Sequence, residues 1–82
     1  MKTLGQRIHF ARSYAGKVSL AEFGRRVAEM EGRPDAYAAQ TVSGWESDRG
    51  RGPGLETLQA IARSSGVRRE WLAFADGPPL AA

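Results

Sequence analysis

The chain has 82 residues, one histidine and no cysteine, and its 12 lysines and arginines outweigh nine aspartates and glutamates to give a net charge of +3. That length holds one domain, the missing cysteines exclude disulfides and thiolate metal sites, and no apolar run approaches the ~20 residues of a membrane span. The basic excess is nearly all arginine, whose planar fork suits phosphate and guanine, so a nucleic-acid partner is permitted.

The opening Met1-Lys2-Thr3-Leu4-Gly5 lacks the apolar core of a signal peptide, which sets the expectation of a cytoplasmic protein. Leu4, Ile8, Ala11 and Ala15 step by helical spacing and predict a first helix, capped by Thr3 and ended by Gly16. His9 is expected on its surface without a partner nearby in sequence. Ser19-Leu20-Ala21-Glu22 has the spacing of a capping box and opens a second helix carrying Leu20, Phe23, Val27 and Met30 inward. Gly24, unfavourable in a helix interior by ~1 kcal/mol, makes sense where another helix crosses closely. Gly32 and Pro34 end that helix, and Asp35-Ala36-Tyr37 reads as a turn with the Tyr37 ring against Val42 or Phe23.

A third helix is expected over about 38–47. Val42 and Trp45 share one face, with Ala38 a turn earlier, while Gln40, Ser43, Gly44 and Ser47 fall opposite. A surface helix normally turns charges outward; this one turns out an amide, hydroxyls and bare backbone, groups of the kind that read base edges in a major groove. The next stretch, 47–54, is a loop by its glycines and proline. Leu55, Leu58, Ile61 and Ala62 predict a fourth helix between Gly54 and Gly66, and Val67 to Phe74 a short fifth with Trp71 and Leu72. Period-two alternation is absent, so the expected class is all-α, with a domain over 1–77 and a frayed tail over 78–82.

Five pieces in this order resemble the lambda-repressor-like, or Cro/XRE, family of helix-turn-helix domains. They are Leu4-Gly5-Gln6-Arg7-Ile8 with Arg12; Ser19 to Val27 with Phe23 and Gly24; Gln40-Thr41-Val42-Ser43-Gly44-Trp45-Glu46; Pro53-Gly54-Leu55-Glu56-Thr57-Leu58 with Ile61-Ala62; and Gly66-Val67 with Glu70-Trp71-Leu72. The resemblance implies a compact five-helix domain that inserts its third helix into the major groove of double-stranded DNA as a homodimer. It would be a transcriptional regulator and a repressor, with no cofactor, metal or small-molecule ligand. It further implies base contacts from Gln40, Ser43, Gly44 and Ala39, and backbone contacts from Ser19, Thr41, Ser47, Arg49, Arg51 and Arg12. Arg12 and Glu46 match positions of an internal ion pair between the first and third helices, and Trp71, Phe74 and Leu80 are candidate dimer contacts. Intramolecular packing competes with that last role, for Trp71 above all. Three departures stand out. An inserted stretch from Met30 to about Tyr37 is expected mainly to lengthen the second helix. Leu20 occupies a place where a phosphate-binding glutamine is frequent, leaving that contact to Ser19. Residues 33–53 set Arg33, Arg49 and Arg51 against Asp35, Glu46 and Asp48, a sum of zero, so a shallow salt dependence is expected. The competing reading is a protein-interaction module of the same fold, antitoxin-like or adaptor-like. An enzyme is disfavoured, because the sequence has no grouping of catalytic residues and no phosphate-cradling glycine motif.

Overall fold

A computed structural model describes residues 2–80. They form five helices, and no strand occurs among the described residues: α1 Leu4–Tyr14, α2 Leu20–Glu31, α3 Ala39–Glu46, α4 Leu55–Ser65 and α5 Arg69–Phe74. The expected all-α class is therefore observed, with α5 starting two residues later than the expected Val67.

The cap chemistry is reversed between the first two helices. Thr3 and Gln6 form the reciprocal box at α1, with Gln6 N donating to Thr3 Oγ1 at 3.2 Å and Thr3 N to Gln6 Oε1 at 2.9 Å. At α2 only half of the expected box exists. Ser19 Oγ accepts from Glu22 N at 3.1 Å, but the Glu22 carboxylate turns to Arg25 and Arg26. Two cations one turn away outcompete a single backbone amide, and they hold the Glu22 carboxyl down to about 2.

Ile8, Phe23, Val27, Val42, Ile61 and Leu72 are fully buried and form the centre of the core, with Trp45 and Trp71 at its rim. α2 packs on α3 and α4, α1 lies across α3, α4 and α5, and α4 closes on α5. Three apolar residues expected inside are not. Met30 is 43% exposed, because the inward face of α2 runs from Gly24 and Ala28 to Glu31 rather than to Met30. Leu55 is 56% exposed in the first turn of α4. Ala38 is exposed as the N-cap of α3. The inserted stretch is divided: α2 runs on to Glu31, Gly32 terminates it at φ 76°, and the remainder is a loop leading to Ala38. The tail is held rather than frayed as far as Leu80, since Arg68 N donates to Pro79 O at 2.8 Å and Leu80 packs on the core. Residues 81–82 lie outside the described residues.

Candidate nucleic-acid interface

α3 is anchored from below by Val42 and Trp45, 0% and 7% exposed. On its outer side Gln40 and Thr41 are exposed, followed by Ser47 at the C-cap, while Ala39, Ser43 and Gly44 are half-buried. A Cβ added at Gly44 would meet nothing within 4 Å, so this glycine is not required by packing. The outer face thus combines an amide, hydroxyls and open backbone without a charge until Glu46.

The N-terminal end of α3 is fixed by Tyr37. Its ring stands edge-on to Trp45 with centroids 4.9 Å apart and packs on the core cluster that includes Val42 and Phe23. Its hydroxyl donates to Glu31, which also accepts from Thr57 Oγ1 at 3.1 Å, so α2, the loop and α4 meet at one carboxylate. The close approach expected at Gly24 is made by backbone and not by a helix. A Cβ on Gly24 would lie well inside contact distance of the Tyr37 carbonyl oxygen and 3.1 Å from its carbon. Arg33 stacks over the Tyr37 ring at 4.2 Å.

The C-terminal end is fixed by charge. Arg12 Nε donates to Glu46 Oε2 at 2.6 Å and Nη2 to Oε1 at 3.1 Å, the bidentate pair implied by the resemblance. Arg12 Nη1 donates to Val18 O at 2.8 Å, so three of the five guanidinium N–H groups are engaged within the protein. Burial pushes the Glu46 carboxyl up, but hydrogen bonds from Arg12 and then His9 outweigh it and hold it below its ordinary value. His9 is on the surface as expected, yet it does have a partner: its Nδ1 lies 3.0 Å from Glu46 Oε1. That partner is far away in sequence and close only across the α1–α3 contact.

Two further ties lie outside the sequence expectations. Asp48 adopts φ 57° just past α3 and accepts from Thr3 Oγ1 at 2.6 Å and Gly5 N at 2.8 Å. These two bonds, in that order, hold its carboxyl below the usual range. They attach the end of α3 to the first turn of α1, where carboxylates are favoured by the free amides. Gly5 permits this approach, since a Cβ there would come within 2.5 Å of Glu46 O. Arg7 is 8% exposed inside α1 and donates to Leu72 O and Lys2 O, both at 2.8 Å. It satisfies a carbonyl in the last turn of α5. The signal available was a cation between Leu4 and Ala11 on the apolar side of α1.

Arg49 and Arg51 are exposed in the loop after α3, beside Gly50 and Gly52 at φ 68° and 72°. Glycine makes those left-handed turns without steric cost. Arg25 and Arg26, by contrast, are paired with Glu22 and Glu29 on α2. The zero charge sum over 33–53 is misleading as a description of the surface. Glu46 is neutralised by Arg12 from outside that window, and Asp48 is turned onto α1. Ser19 is exposed at the start of α2 with its oxygen engaged by Glu22 N.

The three candidate dimer residues are separated by the fold. Trp71 is 8% exposed and edge-on to Phe10 at 5.3 Å, and Leu80 is half-buried on the core. Only Phe74 projects, at 72% exposure, and it shares a groove with Leu55, Leu58 and Ala73. No protein-family model, curated protein or solved structure matches this chain.

Proposed function

We propose that this protein is a sequence-specific double-stranded DNA-binding regulator of the lambda-repressor-like fold, acting as a repressor, with α3 as its recognition helix. The observation that carries the reading is the contrast between the two sides of α3. Its inner side and both ends are fixed by Trp45, Tyr37, Glu46 and Asp48, while its outer side offers uncharged hydrogen-bonding groups to solvent. A helix with its side chains is about 10–12 Å across, which fits a major groove about 12 Å wide, and the eight residues of α3 run about 12 Å in length. In this reading Gln40 pairs with adenine N6 and N7, a contact worth ~1–3 kcal/mol of discrimination. Ser43, Thr41 and the methyl of Ala39 contact neighbouring bases or phosphates, and Gly44 lets the helix backbone approach. Arg49, Arg51, Ser47 and Ser19 hold the strands on either side.

A homodimer on half-sites one turn, or ~34 Å, apart completes the reading, with Phe74 and Leu55 as the apolar contacts. The test is fluorescence anisotropy with random-sequence duplex, followed by selection of bound duplexes from a random pool. Salt-sensitive binding in the range of about 1–100 μM and one enriched, partly palindromic motif are expected. Absence of salt-sensitive binding over that range would overturn the proposal. It would favour the interaction-module reading, for which the exposed Phe74 and Leu55 groove is the specific support.

A further inference from the structure

An open groove of about 550 Å³ runs between α1 and the end of α3, with Lys2, Gln6, His9, Glu46 and Ser47 in its walls. His9 is 59% exposed there. Its Nδ1 faces two charged groups at once, Glu46 Oε1 at 3.0 Å and Arg12 Nη2 at 3.3 Å. An ionised carboxylate only accepts hydrogen bonds and a guanidinium only donates them. One of the two N–H groups of Arg12 Nη2 donates to Glu46 Oε1 at 3.1 Å, and the other is left with the longer approach to the imidazole. The shorter contact therefore decides the tautomer. A bare Nδ1 would set its lone pair against the Glu46 charge, whereas Nδ1–H makes a charge-assisted bond.

With the proton held on Nδ1, the neutral ring presents a lone pair at Nε2. Protonation converts Nε2 to a donor without disturbing the bond to Glu46. The charges make the same point. Arg12 and Glu46 cancel, so the imidazolium charge is uncompensated within the triad, and Lys2 from the segment ahead of α1 adds to it. Asp48, the next acid along the chain, is occupied by Thr3 and Gly5. The groove thus attracts an anion through Lys2 alone when His9 is neutral and more strongly when it is charged.

We infer that His9 is a conditional DNA-backbone contact: its imidazolium donates Nε2–H to a phosphodiester passing the C-terminal end of α3, and its neutral form cannot. This rests on the regulator reading and names a residue and a condition that reading lacks. A DNA phosphodiester is the favoured anion because the groove is bounded by Ser47, from which the chain enters the loop carrying Arg49 and Arg51.

The experiment compares the wild type with His9→Asn, whose side-chain amide can still donate to Glu46 but does not titrate. Binding to one fluorescent duplex is measured at pH 5.5 and pH 8, at several salt concentrations. Histidine changes charge between these limits. The wild type is expected to bind about fivefold tighter at the lower pH, the upper range for an exposed ion pair. Its salt slope should steepen by about 0.9, and His9→Asn should show neither change. Equal pH responses in the two proteins overturn the role of His9 while leaving the regulator reading intact. Absence of duplex binding by either protein at both pH values overturns the regulator reading and this one with it. Nitrogen-15 NMR of the neutral imidazole gives a check that needs no DNA: a dominant Nε2–H tautomer refutes the inference.

Discussion

Two helical glycines should respond in opposite ways to the same methyl group. At Gly24 the added Cβ meets the Tyr37 backbone, its oxygen well inside contact and its carbon at 3.1 Å. Backbone cannot swing aside as a side chain does, so relief requires moving Tyr37. That motion opens the Tyr37 N to Gly24 O bond and disturbs the ring contact with Trp45 and the hydroxyl bond to Glu31. Overpacking of this kind costs ~3 kcal/mol at its upper range, and the gain in helix propensity returns ~1 kcal/mol. Gly24→Ala should therefore lose about 2 kcal/mol net, a fall in Tm of roughly 8–16 °C for a domain of this size. At Gly44 nothing lies within 4 Å, so only the propensity term acts and Gly44→Ala should gain up to ~1 kcal/mol. Thermal unfolding followed by circular dichroism measures both. A Gly24→Ala protein as stable as the wild type would refute the argument that the Tyr37 loop is clamped against α2. A destabilised Gly44→Ala would show that the outer face of α3 is covered.

Glu46→Gln keeps the shape of the side chain and removes its charge, so Arg12 loses its counter-ion at 18% side-chain exposure. A buried pair broken on one side costs ~3–5 kcal/mol, and partial exposure places this one near the lower end. The folded carboxyl titrates below its ordinary value, so its contribution is full above the unfolded value of about 4.3 and lost as pH falls through the folded one. The Tm gap between wild type and Glu46→Gln should therefore close on acidification, and a gap independent of pH would contradict the ion-pair assignment. Gln40→Ala should flatten the preference at one base pair in pool selection with little change in Tm; an unchanged motif removes the base-reading role. Arg49→Ala should weaken binding to all duplexes alike and lower the salt slope by about 1, whereas a sequence-dependent loss would argue against a phosphate contact.

Periodicity and caps located all five helices, because each needs an apolar side and a stop signal that neighbouring residues supply. What sequence reasoning missed are contacts whose partners are distant in the chain. Asp48 gave no local reason to bond Gly5, 43 residues away, and His9 looked partnerless because Glu46 lies 37 residues on. Met30 and Leu55 were misplaced for a different reason. A helical stripe states which side faces inward, but not whether a neighbour extends far enough to cover its ends. Gly24 was read correctly as a close approach and incorrectly as a helix crossing, since a missing Cβ records proximity and not the identity of what comes near.

The ties around α3 have a common physical consequence for recognition. A short helix of eight residues is far below the length that is stable alone in water, about 12–15 residues. Its order must come from its surroundings, here the buried Val42 and Trp45 beneath it, Tyr37 of the preceding loop set against Trp45, and two carboxylates at its end. Both carboxylates are bonded to α1, where Arg12 compensates the Glu46 charge, while Asp48 stays exposed and keeps its own. Holding the helix in place before a ligand arrives lowers the ordering cost of binding, which for each immobilised side chain is about 0.5–1.5 kcal/mol. A face with few cations gains little from non-specific attraction and depends more heavily on that saving. In the proposed reading, discrimination by a few uncharged groups on a rigid rod is the mode of recognition this arrangement favours, and loosening either end should cost stability and specificity together.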